Sequence, residues 1–483
     1  MLYEMYYDTW LGGQYEFKII ELHKQYGPII RISPWELHIS DPDFYDTLYV
    51  GHSAPRRTEK YWNTVRYFGL DLCVFSTVDH DVHRIRRNAL NPLFSMAAVR
   101  SLQPIIHERI DMAMRRMKDF IDEDKVLNAT YMFSAYTNDV VETYCFARCQ
   151  HRLEHPDFDP HSRDAAFEGA TSVHIMKHIW WVYDIMNHFP TSIVKAINTG
   201  AGLYLEQKRS SRAAVEKIID GENEDWRGQE QPTIFRVALD SKLPAHEKSV
   251  GRLADDAQMA VMAGTLTTAM TLDTIMYWLL AQPETLRKLK EELHRAIPVA
   301  RDIGSTPLAT LEGLPYLTGV IKEGLRLSYG ASMRLQRIDP DNAIMFTDKK
   351  TGKEWTIPAK TPVGMSTVQI HHDEDIYPDS KKFRPERWLG RDSTSLDKYF
   401  VSFSKGSRNC LGMNLSYGEL YLFLATVWRT WTTREVGPTE GEAGVLELFE
   451  TTARDVEIAG DYYIPAAQKG SKGVRVKAYR LDA

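Results

Sequence analysis

Phe403-Ser404-Lys405-Gly406-Ser407-Arg408-Asn409-Cys410-Leu411-Gly412 places a single cysteine in a glycine-bracketed loop, directly before the helical stretch 413–430. That position suits a thiolate. A helix N-terminus offers unpaired N–H donors and the positive end of the dipole, which lower the thiol pKa and tune the electron density on sulfur. Gly406 permits a tight turn, and Gly412 lets a flat ligand lie against the backbone without a side-chain clash. Arg408 can fork onto a carboxylate, and Phe403 can pack beside the sulfur and keep it dry. A thiolate held in this way is an axial ligand for haem iron. The plainer reading is a buried cysteine in a loop.

Outward from this segment, residues 80–297 carry almost entirely helical periodicity. Loops are expected at His155–His161, Gly221–Gln231 and before Pro244. The apolar run from Leu253 to Ala281 holds Asp255, Asp256 and Asp273, so it reads as a core helix and not as a membrane span. Further helices are expected at 282–297 and 315–328. Strand signals lie at both ends: 28–32 and 36–39 as a hairpin around Ser33-Pro34, then 344–346, 355–357 and 361–366. The expected fold is mainly α with a smaller β subdomain, in one domain over 1–483. The β-rich part takes in residues 25–60, 333–375 and part of 450–480. The helical body covers 61–330 and 376–440.

Composition excludes several classes. With 43% hydrophobic and 26% charged residues, the 483-residue chain is neither disordered nor fibrous. Its net charge of −6 gives no support for nucleic-acid binding. Four cysteines are far too few for a disulfide scaffold. The N-terminus lacks the pattern of a signal peptide or spanning helix. Cys145, Cys149, His151 and His155 are too crowded for the usual zinc spacing. His371-His372-Asp373-Glu374-Asp375 reads as a polar turn before Tyr377-Pro378.

The cysteine segment resembles the haem-binding loop of the cytochrome P450 family. Other motifs of that family follow in its order. Ala263-Gly264-Thr265-Leu266-Thr267-Thr268 resembles the oxygen-binding kink of the central helix. Glu323-Gly324-Leu325-Arg326 resembles the Glu-x-x-Arg pair, and Phe383–Trp388 the segment that supplies the third member of a Glu323–Arg326–Arg387 triad. The wording of several segments, Glu21–Asp41 among them, is similar to fungal microsomal members of secondary metabolism such as sesquiterpene oxygenases. The resemblance implies haem b between the central helix and the helix after the cysteine loop, with Cys410 as iron ligand. It implies Phe403, Arg408 and Gly412 against the haem, with His83, Arg87 and Arg334 at its propionates. His83 stands where the family usually has Trp.

Gly264, Leu266, Thr267 and Thr268 would be the oxygen-activating residues. Most monooxygenating members have Asp or Glu immediately before the Thr. That acid relays protons to dioxygen, and an apolar Leu266 cannot titrate. Ordinary monooxygenation with water reaching Thr267 by another route, slow or peroxide-dependent oxygen activation, and a redox-neutral isomerisation or cyclisation all stay open. A non-catalytic haem or ligand-binding protein is a further alternative. The favoured reading is oxidation of a small lipophilic metabolite, a terpenoid, by O2. NADPH electrons would arrive through a separate flavin reductase docked on Arg84, Arg86, Lys381, Lys382 and Lys405. The pocket is expected from Tyr67–Phe75, Met262, Thr265, Leu266, Ala331, Ser332, Met333, Thr451 and Thr452, with Ile179–Phe189 as lid or core. The chain begins where the catalytic part of microsomal relatives begins. A missing N-terminal anchor would put it on the cytosolic side of the endoplasmic reticulum membrane; true absence would make it cytoplasmic.

Overall fold

The computed structural model describes residues 2–51, 54, 56–223, 225, 231–390 and 393–481. The loop expected at Gly221–Gln231 therefore lies partly outside the described residues. The architecture is mainly α with small β-sheets. The helices that position the site are α1 (His80–Leu90), α2 (Gln103–Asp122), α3 (Ala129–Phe146), α4 (Thr199–Ile219), α5 (Val250–Ala281), α6 (Pro315–Ser328) and α7 (Met413–Thr430).

Helix α5 runs 32 residues without interruption, so the kink expected at 263–268 is not a break in the helix. It is apolar on nearly every face because α3, α4 and α6 pack around it. It is long and apolar enough to cross a membrane by composition, yet 67% of its most apolar stretch is buried inside the protein. The crossing of α5 and α6 is set by Gly324. A Cβ there would stand 2.2 Å from Ile275 Cγ1, so only glycine admits this approach. Helix α7 is buried over most of its length, where Phe423 meets Phe133 edge-on at 5.4 Å and Tyr136 at 4.7 Å.

The main sheet has strands β1 (Ile29–Arg31), β2 (Leu37–Ile39), β3 (Glu59–Lys60), β4 (Arg337–Ile338) and β5 (Val363–Gly364), in spatial order β1-β2-β5-β4-β3. β1 and β2 form the expected hairpin, with Ile30 opposite His38. Strand β5 keeps only two of the six residues expected at 361–366. Register sets Lys60 opposite Arg337 on antiparallel β3 and β4. Separate hairpins join Ile344–Thr347 to Glu354–Ile357 and Gly460–Tyr462 to Ile464–Ala466. A four-stranded sheet is built from Leu127–Asn128, Arg475–Arg480, Gly444–Leu448 and Trp431–Thr432.

Asp273 shows how a carboxyl is accommodated in the core helix. Thr130 donates to it at 2.7 Å, and Thr130 Oγ1 in turn accepts the Val474 N–H. Burial pushes its pKa up to about 7. A carboxyl raised in the folded state binds its proton more tightly there than in the unfolded chain. Its stabilising contribution is therefore present below the unfolded pKa of about 4 and declines as pH rises to about 7. Asp273→Asn is expected to leave stability nearly unchanged at pH 4 and to raise it by about 2–4 kcal/mol at pH 8, read from urea unfolding at both pH values.

Candidate active site

Cys410 stands at the end of a loop whose shape is fixed by backbone contacts. Gly406 has φ +76°, and a Cβ there would lie 2.4 Å from the carbonyl oxygens of Tyr49 and Val50. The Cys410 N–H donates to Phe403 O at 2.9 Å, and the Ser407 N–H to Val50 O at 2.9 Å. Arg87 of α1 clasps the loop from outside: Nη1 donates to Asn409 O at 2.9 Å and Nη2 to Asn409 Oδ1 at 3.1 Å. Cys410 lies deep in the protein, yet its surface is accessible because it faces an internal cavity. Burial raises the thiol pKa, opposed by a hydrogen bond from the Gly412 backbone and by the charge of Arg87.

The cavity has a volume of about 330 Å³. Cys410, Leu411 and Gly412 line one side, and Met262, Ala263, Gly264, Leu266, Thr267 and Thr268 of α5 another. Phe68, Val74, Phe75, Met259, Ala331, Tyr463 and Ile464 complete an apolar wall. A Cβ at Gly412 would meet nothing within 4 Å, so that backbone is open to a flat ligand.

One rim is cationic. Lys60, Arg408 and His83 line the cavity together with Arg87. Burial, then the charges of Arg337 and Arg408, push the Lys60 pKa well down. Arg408 is lowered to about 9, by burial first and then by Arg337, with Arg87 adding to the effect and Glu59 and Asp79 opposing it. Arg408 donates to the carbonyls of Thr77, Val78 and Asp79, but its Nε is buried without a partner. Mutually repelling buried cations facing a cavity fit a ligand with two carboxylates. With a thiol opposite an apolar wall, the donor set fits haem, with Cys410 toward the iron and Lys60 and Arg408 toward the propionates.

Behind the loop, Glu323 and Arg326 are both fully buried. Glu323 accepts from Arg326 Nε at 3.0 Å and Nη2 at 2.8 Å, from Arg387 Nε at 2.9 Å, from Trp388 Nε1 at 2.9 Å and from the Arg384 N–H at 3.0 Å. The structure thus brings together Glu323, Arg326 and Arg387. Trp388 and His371 were not anticipated as members. His371 Nδ1 meets Arg326 O at 2.9 Å, and its Nε2 accepts the Val401 N–H at 3.2 Å. Burial, then Arg326, holds its pKa well below the ordinary value, so the ring is neutral and ties the triad to the cysteine loop. His371 belongs to this network, not to an exposed polar turn.

Several expected wall residues lie elsewhere. Arg334 is fully buried but does not line the cavity; Nε donates to Glu36 Oε1 at 3.0 Å and Nη2 to Glu4 Oε1 at 2.6 Å. Arg337, paired with Lys60 across β3 and β4, does not line the cavity either, but its charge acts on Lys60 and Arg408 of the rim. Thr265 points away from Thr267, donating to Val261 O and accepting from Asn138 at 2.8 Å. Two residues along a helix turn a side chain by about 200°. Ser332 donates to Asp461 Oδ1 at 2.7 Å, and Met333 packs behind the wall with Tyr67 and Met262. Thr451 hydrogen-bonds Phe449 and Arg475, and Tyr463 and Ile464 take its place in the wall. Of the expected docking cations, Arg86 is tied into Glu247. Arg84, Lys382 and Lys405 pair with Asp81, Asp379 and Asp46. Among the described residues no three metal-ligating side chains converge. Cys145 is buried, and Cys149 accepts from Arg109 at 3.8 Å.

Near the threonines, Thr267 donates to Ala263 O at 3.0 Å and Thr268 to Ser416 Oγ at 2.9 Å. Glu419 of α7 also lines the cavity; burial raises its pKa well above the ordinary value, so it stays protonated beside Thr268.

The family model described as Cytochrome P450 matches residues 5–440. The chain belongs to the cytochrome P450 family. A cytochrome P450 monooxygenase of Cochliobolus heterostrophus is 44% identical over 477 residues, 98% of this chain and 89% of that protein. Another from Talaromyces wortmannii is 42% identical over 480 residues, 98% and 90%. A protein of Fusarium equiseti named a tryptophan 6-hydroxylase is 37% identical over 483 residues, 99% and 90%. This P450 is a monooxygenase, an oxidoreductase like the fungal secondary-metabolism members it matches, and the family implies haem and electrons from a redox partner.

Glu323→Gln removes the carboxylate that neutralises two buried guanidinium groups. It is expected to lower stability by about 3–5 kcal/mol in denaturant unfolding. Gly406→Ala is expected to be destabilising as well, through its contact with Tyr49 and Val50.

Proposed function

We propose that this P450 holds haem b through the Cys410 thiolate and oxidises a small lipophilic secondary metabolite, with a terpenoid as the favoured class. Electrons come from NADPH through a separate flavin reductase. The observation that carries the reading is the cavity itself, with its thiol, its cationic rim and its apolar wall in one chamber. Haem, when bound, supplies the activation of dioxygen. Cys410 supplies electron density to the iron. Lys60 and Arg408 neutralise the propionates, with the charge of Arg337 adding to the field of the rim. Phe68, Phe75, Met259 and Ile464 exclude water and bind an apolar substrate. The Thr267 hydroxyl holds a proton beside the reacting region. Leu266 adds none, so protons reach Thr267 through water.

Leu266 also favours a second reading, a redox-neutral isomerisation or cyclisation, since its apolar side chain lies in the wall where an acid would titrate. The names of some relatives widen the substrate panel to indoles.

The test is purified, haem-loaded enzyme with a reductase, assayed on terpenoids and indoles for NADPH and O2 consumption and product mass. A product heavier by one oxygen that depends on NADPH supports monooxygenation. A product of unchanged mass formed without NADPH sinks it and leaves the isomerase reading. Cys410→Ala is expected to abolish the thiolate signature of the carbon monoxide difference spectrum. Thr267→Ala should lower product per NADPH by about tenfold or more, and Leu266→Asp should raise it if proton supply limits coupling.

We further place the protein at the cytosolic face of the endoplasmic reticulum membrane. The support is an exposed aromatic and aliphatic set, including Trp10, Trp180, Trp181, Phe189 and Ile197. Flotation with phosphatidylcholine vesicles should carry the wild type upward, and Trp181→Asp with Phe189→Asp should reduce it severalfold.

A further inference from the structure

The hairpin Gly460–Tyr462 / Ile464–Ala466 turns on a single residue, Tyr463, at φ +73°. A bulky side chain rarely adopts that left-handed backbone, which local folding would assign to glycine or asparagine. The surroundings hold it there. The Tyr463 N–H donates to Asp461 Oδ1 at 3.1 Å, and its carbonyl accepts the Ser332 N–H at 3.0 Å. The hydroxyl of Ser332 donates to the same Asp461 oxygen at 2.7 Å. From behind, the Asp461 N–H donates to Gly13 O at 2.9 Å, and His174 Nε2 bonds the Asp461 carbonyl. A residue so over-determined is placed for its side chain.

That side chain projects into the cavity. Its ring is fixed edge-on by Phe68 at 5.2 Å and by Phe75 at 5.8 Å. Its hydroxyl makes no hydrogen bond among the described residues, whereas Thr267, Thr268, Asp256 and Ser402 around the same cavity all have protein partners. Burial raises the phenol pKa, so the group stays a donor, and the charges of both Arg337 and Cys410 act on it. Among the described residues, the aromatic wall thus holds a preorganised, unspent hydrogen-bond donor in the Tyr463 hydroxyl.

We propose that Tyr463 is the specificity-determining residue of this P450: its hydroxyl donates to an acceptor oxygen of the substrate, a carbonyl, carboxylate or hydroxyl oxygen. The bond fixes which end of an otherwise apolar molecule turns toward Cys410. The inference rests on the reading that the cavity holds haem and substrate. A site built around such a donor discriminates against analogues that lack the acceptor, because they leave the phenol desolvated and unpaired.

The test uses haem-loaded full-length enzyme titrated with phenylimidazoles and followed by the haem absorption shift. The probes are unsubstituted phenylimidazole and its ortho-, meta- and para-acetyl derivatives. Wild type is expected to bind one acetyl isomer about five- to tenfold more tightly than the unsubstituted probe. Tyr463→Phe should bind the unsubstituted probe as wild type does and lose that preference. Tyr463→His, which keeps a ring donor and tolerates positive φ better, should restore part of it. No Tyr463-dependent preference for any isomer overturns the proposal. So does a Tyr463→Phe enzyme whose haem retention falls while its preference persists, which would assign the hydroxyl to the propionates. If wild type takes up no haem, or haem-loaded wild type binds no azole, the cavity reading fails and the proposal falls with it.

Discussion

The Glu323 carboxylate is sealed from solvent and receives five N–H donors, two from its own helix and three from the stretch 384–388. A buried charge is tolerable only when it is fully neutralised and hydrogen-bonded, so this one dictates where its partners go. Arg326 sits one turn along α6, while Arg384, Arg387 and Trp388 come from a segment with little regular structure. Residues 383–388 hold their place without strand pairing because this anchor replaces the missing backbone ladders. His371 extends the anchor to Val401, two residues before Phe403, so the order imposed at Glu323 reaches the cysteine loop.

The other end of the loop is held by charge of the opposite kind. Arg408 donates to backbone carbonyls and Arg87 to the Asn409 carbonyl and the side-chain amides of Asn91 and Asn409, neutral acceptors that orient both without neutralising them. Lys60 and Arg337 are brought beside them by strand pairing. The result is a rim of buried cations that destabilises the empty cavity and favours a dianionic ligand. Cofactor binding and folding are linked through that repulsion.

Much of this was readable from local sequence. The cysteine segment, the Glu-x-x-Arg spacing and the amphipathic helices state their structure within a few residues. The propionate side was not. Arg334 and Arg337 lie three apart in one stretch, and nothing in that stretch chooses which one's charge acts on the rim. The choice was made by Glu4 and Glu36, about 300 residues away, which draw Arg334 out of the cavity. Lys60 carried no signal, because a lone lysine between loops usually faces water. Tyr463 was missed because a positive φ at a tyrosine cannot be inferred from residue type. Thr265 was misplaced because the motif was read as a string, whereas a helix distributes its residues around an axis.

The sequence by itself determined the fold class, the thiolate-bearing loop, the triad and the apolar character of the central helix. These are set by periodicity, glycine geometry and short-range spacing, all local in the chain. Only the tertiary structure decided which cations face the cavity, which wall residues touch its contents and which polar groups remain unspent there. Those outcomes depend on pairings between segments hundreds of residues apart, where the competition among partners for each buried charge is settled in space.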